Sequence, residues 1–136
     1  MDKAAGLAMI RARWKDIAPA QKYDVDFFRP EDAPGVVRLI TEIYGEKYPV
    51  EDYYIPERII AKNASGDVVT MVARTPGGDV VAQAAIWRTS SPNPNLYESG
   101  QMMVLPDYRK TFALWHLNKL VRRCVDSRPE IHGLFG

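Results

Sequence analysis

Apolar and polar positions change period several times along the chain, and each change marks an element. Tyr23, Val25 and Phe27 alternate with polar neighbours, as the buried face of a strand does, and Pro30 ends the run. Val36, Leu39, Ile40, Ile43 and Tyr44 then recur at helical spacing. That stripe predicts a helix opening at Pro34, with Asp32 in the capping position and Gly45 closing it. A second, brief helix is expected over 56–60, where proline again suits a first helical turn. Tyr48, Tyr53 and Tyr54 crowd the segment between the two helices. They either line a substrate pocket or fill a loosely packed edge of the core, and the sequence leaves both readings open.

Residues 68–74 and 80–87 are strand runs, joined by Thr75-Pro76-Gly77-Gly78-Asp79, a turn sequence suited to an antiparallel hairpin. A Pro- and Asn-rich loop follows, and residues 96–105 supply the next strand. From about Thr111, the residues Ala113, Leu117, Leu120, Val121 and Cys124 repeat at helical spacing, with Lys119, Arg122 and Arg123 on the other side. Arg128-Pro129 stops that helix, and residues 131–136 read as the opening of another strand. A strand, a crossover helix and a parallel strand form a unit that needs further cover. The last strand is therefore expected to be completed by another segment or by a second copy in a homodimer, in a domain truncated at its C-terminus. Near the start, Leu7, Ile10 and Trp14 fall at helical spacing before Ala18-Pro19-Ala20 breaks the pattern. The expected division is a leader or linker helix over 1–21 and a domain over 22–136.

A chain of 136 residues, 46% hydrophobic and 26% charged, has the material for one soluble domain. Its formal net charge of +1 gives no bulk attraction to nucleic acid or to an anionic membrane, so neither is expected as a partner. Cys124 is the single cysteine, which excludes an intrachain disulfide and suits a buried thiol in a reducing compartment. The N-terminus runs from apolar to basic, the reverse of a signal peptide, and no stretch approaches a transmembrane span. The expected location is the cytoplasm.

The chemistry concentrates in Glu98-Ser99-Gly100-Gln101-Met102-Met103-Val104-Leu105-Pro106-Asp107-Tyr108-Arg109-Lys110, a strand broken at proline that leads straight into a helical pattern. The first N–H groups of a helix lack intrahelical partners and the macrodipole is positive there. Such a junction suits a phosphate group, with Arg109 and Lys110 adding charge.

Taken with the order of elements, Val104-Leu105-Pro106-Asp107-Tyr108-Arg109 resembles the V-x-P-x-Y-R entry to the acetyl-CoA pyrophosphate loop of the GNAT N-acetyltransferase superfamily. The resemblance covers roughly residues 23–136, the N-terminal two-thirds of that family's domain. It implies an α/β fold of GNAT type, with a mixed, mostly antiparallel sheet flanked by helices and splayed at the strand over 102–105. It also implies an N-acyltransferase that takes acetyl-CoA as acyl donor and a small-molecule or peptide amine as acceptor. On that resemblance, Met103 and Val104 hold the pantetheine arm through their backbone, and Arg109, Lys110, Thr111, Phe112, Ala113 and Leu114 form the pyrophosphate loop. The family's loop usually reads Q/R-x-x-G-x-G/A. Phe112 and Leu114 stand where small residues are usual, and their bulk is expected to narrow the phosphate site. That departure supports the alternative of a non-catalytic module kept for interaction or for sensing acyl-CoA.

Several family members place a glutamate on the cofactor strand that acts directly or through water, which makes Glu98 the candidate base; the other reading is a solvated strand-end charge. The family's general acid is often a tyrosine on a helix after the next strand, so the resemblance assigns none here. Tyr108, beside the junction, suits packing better than catalysis. His116 and His132 have no Cys, His or Asp at ligand spacing, and no metal is expected.

Overall fold

Alternation along the strands decides which helix covers which side of the sheet. The computed structural model describes residues 23–89, 93, 95–109, 112–131 and 133–135. The expected leader, together with Lys110, Thr111 and His132, lies outside the described residues. The elements are β1 (Asp24–Phe27), α1 (Ala33–Tyr44), α2 (Pro56–Ser65), β2 (Val68–Arg74), β3 (Val80–Arg88), β4 (Leu96–Val104), α3 (Ala113–Ser127) and β5 (Gly133–Phe135). Short 3-10 turns occupy Pro30–Asp32, Glu51–Tyr54 and Pro106–Tyr108.

The strands form one sheet in the order β1-β2-β3-β4-β5. The first four pair antiparallel and β5 lies parallel to β4, so the sheet is mixed and mostly antiparallel as expected. A parallel neighbour needs a crossover, and α3 provides it. β5 pairs within the chain, matching Leu96 with Gly133, Tyr97 with Leu134 and Glu98 with Phe135.

Met71, Ala73, Ala84, Ile86 and Tyr97 meet Ala113, Leu117, Val121 and Cys124 on the α3 side. Val72, Val80 and Met103 meet Val36, Leu39, Ile40 and Ile59 on the side of α1 and α2. Burial also raises the Cys124 thiol above its ordinary pKa, so it sits as an inert apolar filler.

Two local expectations are corrected. Helix α2 runs on to Ser65, where Gly66 at φ 82 stops it. Beyond Ile60 it carries no large apolar residue, so no apolar stripe marks this extension; Asn63 anchors it by donating to the Ile59 carbonyl and accepting the Thr70 N–H. Asp32 does not cap α1 with its side chain. Its carboxylate accepts the Arg29 N–H at 2.8 Å and takes two hydrogen bonds from Arg74, one from Nε at 2.7 Å and one from Nη2. A buried guanidinium needs a buried counter-charge, and that demand outranks a cap.

Candidate functional site

The site is organised by an irregularity in β4. Between the pairs Ala85–Gly100 and Gln83–Met103, β3 carries Ala84 while β4 carries both Gln101 and Met102. The extra residue makes a bulge, and Gln101 adopts φ 51, a left-handed conformation that costs a non-glycine residue about 1 kcal/mol or more. The bulge directs Gln101 to the α1 and α2 side, where its Nε2 donates to the Tyr48 hydroxyl at 2.9 Å. The other amide atom, Oε1, is buried with no hydrogen-bond partner among the described residues.

Tyr48 sits edge-on to Tyr53, ring centroids 5.9 Å apart, and tilted against Tyr44 at 5.1 Å. Tyr54 ties the loop, its hydroxyl donating to the Gly45 carbonyl at 2.6 Å and accepting the Tyr48 N–H at 3.0 Å. The three tyrosines thus divide between both readings: Tyr53 is buried in the core, Tyr54 fastens the chain, and Tyr48 and Tyr53 together wall a groove of about 480 Å³. Trp87, Val50, Val68 and Gln101 complete its apolar part, and Lys62, Asp67 and Arg88 add charge. Burial pushes the Tyr48 and Tyr53 hydroxyls above the ordinary range, with the Gln101 amide opposing it at both, so both phenols stay protonated.

Glu98 lies on this same side. Paired across the strands with Trp87, it accepts the indole Nε1–H at 3.1 Å. Gly100 makes room for the ring, since a Cβ there would stand 2.6 Å from Trp87 Cη2. Glu98 is therefore an oriented carboxylate held by a groove-lining indole.

On its other edge, β4 meets β5 only at Leu96, Tyr97 and Glu98, and residues 99–104 have no strand partner there among the described residues. Leu105 donates to the Val81 carbonyl at 2.9 Å. By strand alternation, Met103 faces Gln83 of β3 while the Val104 peptide turns to the open edge. The strand ends in the Pro106–Tyr108 turn, closed by hydrogen bonds from Tyr108 and Arg109 to Leu105 and Pro106. Tyr108 packs edge-on to Tyr23 at 6.3 Å, as a packing residue does.

Arg109 is exposed beside the start of α3. Phe112, at φ −86 and ψ 9, has a backbone conformation open to any residue, and its ring rests edge-on against Trp115 at 6.0 Å. Ala113 is fully buried and Leu114 half-buried. The structure thus gathers Arg109, Phe112, Ala113 and Leu114 at one helix start, adjoining the open edge of β4.

The backbone fold recurs in solved structures. An acetyltransferase from Trypanosoma brucei superposes with a TM-score of 0.64 at 15% identity, over 85% of this chain and 82% of that one. A GNAT-family acetyltransferase from Staphylococcus aureus gives 0.65 at 16%, over 85% and 72%. The fold is that of the GNAT acetyltransferases. A GNAT-family acetyltransferase from Brucella melitensis, solved in complex with acetyl-CoA, shares the GNAT fold at a TM-score of 0.59 and 18% identity, over 79% of this chain and 71% of its own. No protein-family model matches the sequence, and no curated protein matches it either. At such identities the GNAT likeness is one of backbone architecture, and it leaves the side chains of the groove particular to this chain.

Gln101 and Trp87 join the site without any pattern that pointed to them, whereas Tyr48 and Tyr53 stand where the tyrosine-rich segment suggested a pocket. A glycine inside a strand run, at Gly100, was the available signal, because it marks a bulge or a close approach. Among the described residues no group of three or more His, Cys, Asp or Glu is placed to hold a metal ion, and no helix is long and apolar enough to cross a membrane.

Proposed function

We propose that this protein is an acetyl-CoA-dependent N-acyltransferase that transfers an acyl group to an amine held in the aromatic groove. The observation that carries the reading is that β4 serves two surfaces at once. At its bulge Gln101 faces the groove, while the edge beyond runs unpaired to the turn and helix start that carry Arg109. An open strand edge followed by a helix N-terminus fits a ligand with amide groups at one end and phosphates at the other.

When bound, acetyl-CoA supplies the acyl group as a thioester, which the amine nitrogen takes with loss of the thiolate. The Val104 peptide would hold the pantetheine amides, with Met103 fixing the register of the strand. Arg109, Lys110 and the turn from Thr111 through Phe112 and Ala113 to Leu114 would meet the pyrophosphate. The bulk of Phe112 and Leu114 would narrow that turn, leaving Arg109 as the charged group beside it. Glu98 accepts the proton of the amine, its carboxylate oriented by the Trp87 indole. The single buried thiol, Cys124, fits a reducing, cytoplasmic setting.

Calorimetric titration with acetyl-CoA, followed by an assay of thiol release across a panel of amines, tests the reading. Binding and transfer are expected, with Arg109→Ala weakening acetyl-CoA by about tenfold through the lost charged hydrogen bond. Absence of binding would overturn the proposal. Binding without transfer to any amine would favour an acyl-CoA sensor, the reading that the bulk of Phe112 and Leu114 supports.

A further inference from the structure

Charge is answered unevenly over the helices. Arg38 of α1 pairs with Asp79, and Arg58 and Lys62 of α2 both pair with Asp52. Helix α3 carries Lys119, Arg122 and Arg123 against a single acid, Asp126, and among the described residues no carboxylate forms an ion pair with any of these three cations. Two of them, Lys119 and Arg123, line a cleft of about 220 Å³ between α3 and β1, together with His116, Leu120, Tyr23 and Val25.

Strand β1 brings no counter-charge to this cleft. Its acids, Asp24 and Asp26, are engaged by Arg29 and Arg74, while Tyr23 and Val25 pack toward α3. The Lys119 ammonium lies 4.4 Å from the centre of the Trp115 ring, a contact that steadies it and leaves its charge intact. Partial burial, with the Lys119 charge beside it, holds His116 below its ordinary pKa, so near pH 7 the imidazole is neutral and Lys119 and Arg123 are the charges of the cleft. Standing four residues apart, these two are neighbours on one helix face, where an ammonium and a guanidinium fork can close on one tetrahedral anion. Beneath them, Tyr23, Val25 and Leu120 form an apolar floor.

We infer that the cleft between β1 and α3 binds a small phosphate monoester, its dianion held between Lys119 and Arg123 and its apolar body laid on Tyr23, Val25 and Leu120. Two cations side by side favour a dianion over a carboxylate, and a volume of about 220 Å³ admits a phosphate with a single small ring. The cleft is remote from the open edge of β4. At about 1.5 Å of rise per residue, Lys119 stands about 9 Å and Arg123 about 15 Å along α3 from Ala113, and three strand spacings of about 4.8 Å separate β1 from β4. The inference is therefore independent of the acyltransferase reading.

The test uses phenyl phosphate as probe and benzoate, a monoanion on the same ring, as comparison. Both are titrated into the full chain at constant ionic strength, and binding is followed by amide NMR shifts. Phenyl phosphate should move the amides of Val25, His116, Lys119, Leu120 and Arg123 and bind about tenfold more tightly than benzoate. Lys119→Met and Arg123→Met, which keep the apolar stems and remove the charges, should each weaken it about fivefold or more. Arg122→Met removes the same charge from the same helix outside the cleft, and it should change the affinity by less than about twofold. Far-UV circular dichroism checks that each variant keeps its fold; the shift map of the wild-type chain tests the site without any substitution. Shifts that bypass β1 and α3, benzoate bound as tightly as phenyl phosphate, or equal weakening by Arg122→Met would each overturn the inference, the last by showing a diffuse field in place of a site. Displacement of phenyl phosphate by acetyl-CoA would make the cleft part of the coenzyme's own site and overturn it too. If acetyl-CoA does not bind while phenyl phosphate binds in a way that depends on Lys119 and Arg123, the acyltransferase reading fails and this inference stands.

Discussion

Trp87 occupies the space that any side chain at residue 100 would need, and through it the residue scale of the site is organised. The ring lies over Gly100, its indole N–H holds Glu98, and its body lines the groove next to Gln101. Gly100→Ala should therefore cost about 1–3 kcal/mol by overpacking and push the indole away from Glu98. Urea unfolding and a change in tryptophan emission read the two effects, and an unchanged midpoint with an unchanged spectrum would contradict the close approach. Glu98 was legible as a strand carboxylate, but its partner was not, because cross-strand pairing depends on register. Gln101 was hidden for a sharper reason. Strict alternation reverses at a bulge, and one extra residue in β4 redirects the side chains around it.

Elements with strong periodicity were read well, and their energetics follow from the same stripes. Leu117 is fully buried at the centre of the apolar face of α3, against the sheet. Leu117→Ala should destabilise the fold by about 2–5 kcal/mol, measured by denaturant midpoint, because the lost contacts leave a cavity that a sheet and helix cannot close. An effect below about 1 kcal/mol would mean that α3 is loosely docked. The hairpin of β2 and β3 and the stop of α1 at Gly45, φ 60, were readable because turn glycines act locally. The second half of α2 was not, since Asn63 holds it through bonds to Ile59 and to Thr70 of the next strand, and such anchors leave no periodic trace.

At the scale of the whole molecule, the Arg74 guanidinium ties together β1, β2 and the turn before α1. It bonds Asp32, 42 positions away in sequence, and reaches Asp24 at 3.1 Å and the Phe27 carbonyl at 3.2 Å. Burial by itself would raise the Asp32 carboxyl, but hydrogen bonds from Arg74 and the Arg29 N–H, with the charges of both arginines, outweigh it and hold the group below its ordinary range. A depressed pKa in the folded state adds stability that is fully present above the unfolded value and is lost as pH falls through the folded one. The stability advantage of wild type over Asp32→Asn should thus be constant near neutrality and shrink below about pH 4, read from urea midpoints between pH 7 and pH 3. An advantage that stays constant to pH 3 would show that the pair does not depend on ionised Asp32. Arg74→Met, which strands the buried carboxylate, should cost about 3–5 kcal/mol at pH 7.

By itself the sequence determined the elements, their order, the hairpin and the strand-to-helix junction at Pro106, because periodicity, turn chemistry and the proline constraint act over a few residues. Only the tertiary structure decided that Asp32 answers Arg74 rather than a helix end, that Trp87 holds Glu98, and that a bulge turns Gln101 toward three aromatic rings. Those outcomes depend on register and on distant buried partners, which local pattern does not encode.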